Sequence, residues 1–298
     1  MTEPQRPARF PRLRSVTRRG DAEELEHDRA VGRVVLTHWY SGFGRALASL
    51  GTRVGARLGA RGALLLTLVA GSALALALSF VASRIYDAIT ESEGVAGLDR
   101  PLLLVVMRAR TPTLDALVTG YTNLAGPIGM PVIAVAAIIA FTLKRRSWTP
   151  AILIVAGGLG SLLMTIAGKD IIGRVRPPLA DAVPPYQYSP SFPSGHTLNA
   201  VVIAGVVAYL LMLRQTSAAA RTLTIVVASL FAVTIGLSRV FLGLHWFTDV
   251  LAGWTLGAVW LVIIITSHRL YLTVRQRRAA TTSPEPDVVA GPSPLFPE

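Results

Sequence analysis

The sequence has no cysteine and little charge. It carries 17 acidic and 29 basic side chains among 298 residues, 15% in all. Without cysteine there are no disulfides, no thiolate nucleophile and no thiolate metal site, and nothing marks the redox compartment. Length alone would allow one or two soluble domains, but 52% apolar residues argue for another class. A cleavable signal peptide is not expected either. The first long apolar run begins near Gly62, after 61 polar, arginine-rich residues, and reads as a retained anchor.

What the chain does have is six apolar windows, at about 62–83, 117–143, 150–167, 197–213, 222–239 and 248–267. Each is close to the ~20 residues a bilayer-crossing helix needs. Lipid offers no partner to open backbone groups, so helices are the expected form. The reading is an all-α membrane protein with a six-transmembrane-helix bundle over 62–267. A basic cytoplasmic segment, 1–61, precedes it and a cytoplasmic, largely disordered tail, 268–298, follows. Arg33–Arg61 suits either a basic helix on anionic headgroups or a solvated tail. The closing TTSPEPDVVAGPSPLFPE is rich in Pro and Ser and reads as disordered. The run Leu102–Met107 is too short to span, so it lies at the interface or re-enters.

A formal charge of +12 raises nucleic acid as a partner, but the charge map favours membrane topology. Residues 1–61 hold 12 arginines against 6 acidic residues. Lys144, Arg145 and Arg146 follow one apolar run, Arg214 and Arg221 flank a connector, and Arg269, Arg275, Arg277 and Arg278 follow the last run. These are 21 of the 29 basic residues, and all fall on one side if the runs alternate across the membrane. That is the positive-inside pattern. No nucleic-acid partner is expected, and the bilayer is. Both termini are then cytoplasmic, and the segments 84–116, 168–196 and 240–247 face outward.

Polar residues gather in the outward segments. Of five histidines, only His196 and His245 lie there, each at the edge of a span. Ionisable groups at membrane depth are costly and default to a functional hypothesis. His245 and Asp249 are four apart, which on a helix places them one turn apart on one face. A carboxylate there can take the Nδ1 proton and leave Nε2 as nucleophile or base. An interfacial histidine beside a helix-capping aspartate fits equally. In SFPSGHT (Ser191–Thr197), Ser194 can cap a helix and Gly195 lets a ligand approach, so helix N–H groups make an anion site beside His196. An ordinary Pro-Ser-Gly turn is the alternative. KDIIGRVRP (Lys169–Pro177) puts Lys169, Arg174 and Arg176 outside, against the positive-inside bias. Phosphate is a suitable partner for them, as is a headgroup surface.

In this order, Lys169-x6-Arg176-Pro177, then Pro193-Ser194-Gly195-His196, then Ser238-Arg239-x5-His245-x3-Asp249 resemble the motifs of the type-2 phosphatidic acid phosphatase (PAP2) superfamily. The chain is similar to its integral-membrane lipid phosphatases over roughly residues 62–267. The resemblance implies six helices with the site at the extracytoplasmic face. It implies that Lys169, Arg176 and Arg239 hold phosphate oxygens, with Ser194 and the Gly195 N–H adding hydrogen bonds. His245 attacks phosphorus to give a phosphohistidine, Asp249 orients it, and His196 protonates the leaving group and then activates water. No metal or other cofactor is implied, because the cations carry the charge and would repel a divalent ion. The expected substrate is a lipid phosphate or diphosphate: a polyprenyl diphosphate, phosphatidic acid or phosphatidylglycerol phosphate. These motifs do not read the lipid tail. A lipid phosphotransferase using the same phosphohistidine, or a non-catalytic phospholipid transporter, are the alternatives. Arg174 lies outside the motifs and receives no role, and nothing in the sequence marks an oligomeric state.

Overall fold

The computed structural model describes residues 28–90 and 95–282. The start of the basic N-terminal segment and the Pro/Ser-rich end, 283–298, lie outside the described residues. Among the described residues there are eight α-helices and one short hairpin. The hairpin pairs β1 (Ala30–Val31) with β2 (Val34–Val35), Ala30 opposite Val35. The helices are α1 (Gly42–Thr90), α2 (Asp99–Met107), α3 (Pro112–Thr122), α4 (Gly129–Arg145), α5 (Thr149–Ile172), α6 (Gly195–Met212), α7 (Ala218–Phe241) and α8 (Phe247–Thr282).

Five helices are long and apolar enough to cross a bilayer: α1 over Gly42–Ala75, α5, α6, α7, and α8 over Phe247–Ala280. The sixth expected span, 117–143, is not one straight helix. It is α3 and α4, bent by 46° across a break. The sequence explains the break. Asn123–Ala125 is a 3₁₀ turn, and Gly126, Pro127 and Gly129 follow it. Proline lacks an N–H and clashes with the preceding turn, and glycine weakens a helix.

α6 is the centre of the bundle. It packs on α5, α7 and α8 and is apolar on nearly every side, with Leu198, Val202, Val206 and Leu210 wholly buried. An evenly apolar helix is what a position surrounded by other helices requires.

The end of the bundle away from His196 is closed by residues the hydropathy windows did not include. α8 continues to Thr282, past the boundary expected at 267, because Leu270, Tyr271, Leu272 and Val274 are still buried. They pack against the first part of α1, which starts at Gly42 and breaks at Gly59. The Arg269 guanidinium stacks 4.3 Å over the Trp39 ring. Asp28 ties the hairpin to the bundle through Arg145 and Arg214, each at 3.0 Å. The short apolar run expected to lie at the interface or re-enter is α2, nine residues long, packed on α7 and α8 with Asp99 and Leu103 buried.

Candidate active site

At the opposite end of the bundle, four connections converge: the α3–α4 break, the 173–194 loop after α5, the first turn of α6, and the tight turn between α7 and α8. That turn depends on Gly243, whose φ is +66° and whose missing Cβ would stand 2.3 Å from the Asp181 carbonyl oxygen. Only glycine fits there, and the turn delivers His245 two residues later.

His245 and Asp249 do not share a helix face, as their spacing suggested. His245 precedes α8, and Asp249 lies in its first turn. The pairing comes from capping. Asp249 Oδ2 reaches back to accept the Trp246 N–H at 2.9 Å, the reverse half of a capping box. The same oxygen stands 3.5 Å from His245 Nδ1. That is slightly longer than an ordinary hydrogen bond, as unliganded sites often are. On the other side of the ring, Arg176 Nη1 lies 3.2 Å from Nε2. A guanidinium only donates, so Nε2 carries a lone pair and the proton belongs on Nδ1, toward Asp249. Burial pushes the His245 pKa down to about 3, although Asp249 opposes the shift. The ring is therefore neutral at ordinary pH.

Three cations gather at this end of the bundle, Arg176 against the nitrogen itself. Lys169, in the last turn of α5, holds the Pro190 carbonyl and the Ser189 hydroxyl, the latter at 3.1 Å. Arg176 donates to the carbonyls of Ser189, at 2.6 Å, and Leu244. Burial lowers its pKa and Asp249 partly restores it. Arg239, in the last turn of α7, is 2% exposed, yet its Nε and Nη2 have no hydrogen-bond partner. A buried charged donor left unpaired is expensive, and an anion would satisfy it.

Ser194 sits at the N-cap position of α6, but its side chain does not cap the helix as expected. Its hydroxyl accepts from Thr197 Oγ1 at 2.8 Å, while its own N–H donates to the Asp249 carbonyl at 3.1 Å. Gly195 opens α6 where a Cβ would stand 3.0 Å from Thr165 Cγ2. His196 follows, its Nε2 facing Gly126 across the α3–α4 break. All eight expected site residues thus lie at one end of the bundle.

Sequence reasoning named Arg174 only as an outward cation suited to phosphate, and the structure turns it to carboxylates behind the site instead. Arg174 donates to Asp249 Oδ1 at 2.6 Å, to Thr248 Oγ1 at 2.7 Å and to Asp99 Oδ2 at 2.7 Å. Asp99 in turn accepts the Thr248 N–H at 2.9 Å. Arg174 therefore clamps the carboxylate that faces His245, and α2 clamps Arg174. An acid opening a short apolar helix was the available signal, but no spacing connects residue 99 to residue 174. Gly126 was also missed. Among the described residues, no three His, Cys, Asp or Glu side chains gather as a metal ligand set.

A cavity of about 690 Å³ runs from this site down between α4, α5 and α6. Lys169, Arg176, His196 and His245 line its head. Met130, Ile154, Leu162 and Ile203 line its apolar stem.

Residues 149–271 match the family model of the PAP2 superfamily, a range that holds all eight site residues. Phosphatidylglycerophosphatase B of Bacillus subtilis (strain 168) is 33% identical over 175 residues, covering 58% of this chain and 84% of that protein. The chain belongs to the PAP2 superfamily. A solved PAP2 structure, the transmembrane phosphatidylglycerolphosphate phosphatase from Bacillus subtilis, superposes with a TM-score of 0.57 at 28% identity. The match covers 63% of this chain and 93% of that one. LpxE from Aquifex aeolicus aligns more loosely, with a TM-score of 0.45 at 24% identity over 56% of this chain and 94% of that one. The protein is thus a multi-pass membrane phosphatase of PAP2 type.

Proposed function

We propose that this PAP2 protein hydrolyses a lipid phosphate or diphosphate at the extracytoplasmic surface through a phosphohistidine on His245. The observation that carries the reading is the pairing of an available Nε2 lone pair with Arg239, buried and short of hydrogen-bond acceptors. A phosphoryl group between them would complete the donors of Arg239, Arg176 and Lys169 and present phosphorus to Nε2.

In the first step the Nε2 lone pair attacks phosphorus, and the bond from phosphorus to the leaving oxygen breaks. His196 gives that oxygen its proton. Asp249, fixed by Arg174 and the Trp246 N–H, stabilises the positive charge that grows on the His245 ring. Charge developing on the phosphoryl oxygens is met by the three cations and by N–H groups at the α6 N-terminus. In the second step His196, now neutral, takes a proton from water. The water oxygen attacks phosphorus, the P–N bond breaks, and phosphate leaves. The cations supply the charge that a divalent ion supplies elsewhere. The positive-inside charge pattern supports a site that faces outward. The cavity's apolar stem, running from the cations between membrane helices, suits a lipid substrate, as do the activities in the names of the two Bacillus relatives.

A phosphate-release panel on detergent-purified protein tests this. Undecaprenyl diphosphate, phosphatidic acid, phosphatidylglycerol phosphate and a soluble phosphomonoester are compared, with and without EDTA and vanadate. Free inorganic phosphate from a lipid, faster than from the soluble ester, resistant to EDTA and blocked by vanadate, is expected. Phosphate passed to a second lipid instead of water would make the protein a phosphotransferase. Complete loss with EDTA, restored by one divalent ion, would replace the phosphohistidine with metal-assisted hydrolysis.

A further inference from the structure

Below the phosphate site, the cavity's stem carries a polar amide side chain that the catalytic steps do not use. Asn199 lies on α6 one turn beyond His196, roughly 4.5 Å along the axis, and lines the same cavity. Across from it on α5, Ser161 is wholly buried and donates its hydroxyl to Asn199 Oδ1 at 2.5 Å. The two helices run antiparallel in this register, with Gly195 against Thr165 one turn above. With Oδ1 turned to Ser161, the planar amide turns its NH₂ the other way. That nitrogen has no hydrogen-bond partner among the described residues. Its neighbours on the cavity wall are Ile203, Leu162, Gly158 and Ile154.

An amide in an apolar stem between membrane helices costs free energy unless both its ends are satisfied. Ser161 satisfies one end and fixes the orientation of the other. The group that completes the pair must be an acceptor, and it must lie just below a phosphate held at His245. A lipid built on glycerol has acceptors at that depth: the glycerol oxygens and the first ester carbonyl. A polyprenyl monophosphate has only hydrocarbon there and would cover the NH₂ without satisfying it.

We infer that Asn199, oriented by Ser161, is a specificity-determining residue that donates to the glycerol–ester region of a glycerophospholipid phosphate and so favours that class over polyprenyl monophosphates. This rests on the lipid-phosphatase reading above and narrows its substrate. The cations recognise the phosphate whatever lipid carries it, and Asn199 reads the first polar atoms of the tail.

The test is the ratio of kcat/KM for diacyl phosphatidic acid to that for a prenyl monophosphate of similar chain length. Full-length wild type, Asn199→Leu and Ser161→Ala are measured in mixed micelles at matched surface fractions. Leucine keeps the branched shape and removes the donor. One neutral hydrogen bond corresponds to a change of roughly fivefold to tenfold. The ratio should fall by about that factor in Asn199→Leu, through loss on phosphatidic acid. In Ser161→Ala, where the amide is present but no longer held, it should fall by a smaller factor. A ratio unchanged in both variants, with both substrates slowed alike, makes Asn199 a packing residue and overturns the inference. So does a wild type that turns over the prenyl ester but not phosphatidic acid, which leaves the phosphatase reading intact. A wild type releasing phosphate from neither removes that reading, and this inference with it. Should Asn199→Leu fail to fold, Asn199→Ala and Ser161→Ala carry the same comparison.

Discussion

At the residue scale, the two histidines differ in what surrounds them, and the difference is measurable. His245 Nε2 is the nucleophile in our reading, so His245→Ala should abolish turnover at every pH. In the same reading His196 acts only as proton donor and acceptor, so the cost of His196→Ala should depend on the leaving group. General acid catalysis is typically worth about 10²–10⁴-fold. A lipid alkoxide leaves poorly without a proton and should lose most of that factor, whereas nitrophenolate should lose far less. The ratio of kcat/KM for the two substrates, wild type against His196→Ala, decides this. An unchanged ratio reduces His196 to a phosphate ligand.

The neutral ring of His245 also has a consequence for stability. Its ordinary pKa of 6.5 falls to about 3 on folding, chiefly by burial. Between those values the unfolded chain binds a proton that the folded chain refuses. Its contribution to stability is therefore full above about pH 6.5 and is lost as pH falls toward 3. Melting curves of wild type and His245→Asn should converge as pH drops through that window. Parallel curves would mean that the ring is not held neutral.

At the element scale, the sequence disclosed the spans better than their interruptions. Uniform apolar runs predicted α5, α6 and α7 to within a few residues, because a helix surrounded by helices or lipid is apolar on all sides. The same uniformity hid the α3–α4 break, since hydropathy averages across Gly126 and Pro127 without registering them. That break shapes the site. Gly126 faces His196 so closely that a Cβ would stand 3.1 Å from its Nε2. Gly126→Ala should therefore displace His196 and behave as a mild form of His196→Ala. It should slow a lipid monophosphate more than a nitrophenyl ester, and equal slowing of both would separate Gly126 from the acid–base function. The motif residues were legible because their order along the chain is distinctive. Asp99, Thr248 and Arg174 were not, because their hydrogen bonds join α2, α8 and the 173–194 loop, and only the packing of α2 on α8 brings them together.

At the scale of the whole molecule, the charge map predicts the orientation. The Asp28–Arg145–Arg214 cluster and the Arg269–Arg278 stretch of α8 gather at one end, and Lys169, Arg176 and Arg239 at the other. The positive-inside pattern predicts that the first end is cytoplasmic. The chain has no cysteine, so single cysteines report without background. Ala180 and Thr216 are exposed in connections at opposite ends of the bundle. In intact cells an impermeant thiol reagent should label Ala180→Cys and spare Thr216→Cys. The reverse pattern would turn the site to the cytoplasm.

The covalent intermediate can be trapped most directly where its breakdown is slowest. In His196→Ala, a good leaving group still departs while the group that activates water is absent, so phosphoenzyme should accumulate. Detergent-purified His196→Ala, mixed with p-nitrophenyl phosphate, quenched in alkali and mapped by mass spectrometry, should carry one alkali-stable phosphate, on His245. Release of nitrophenolate with no phosphorylated histidine at residue 245 would contradict the mechanism.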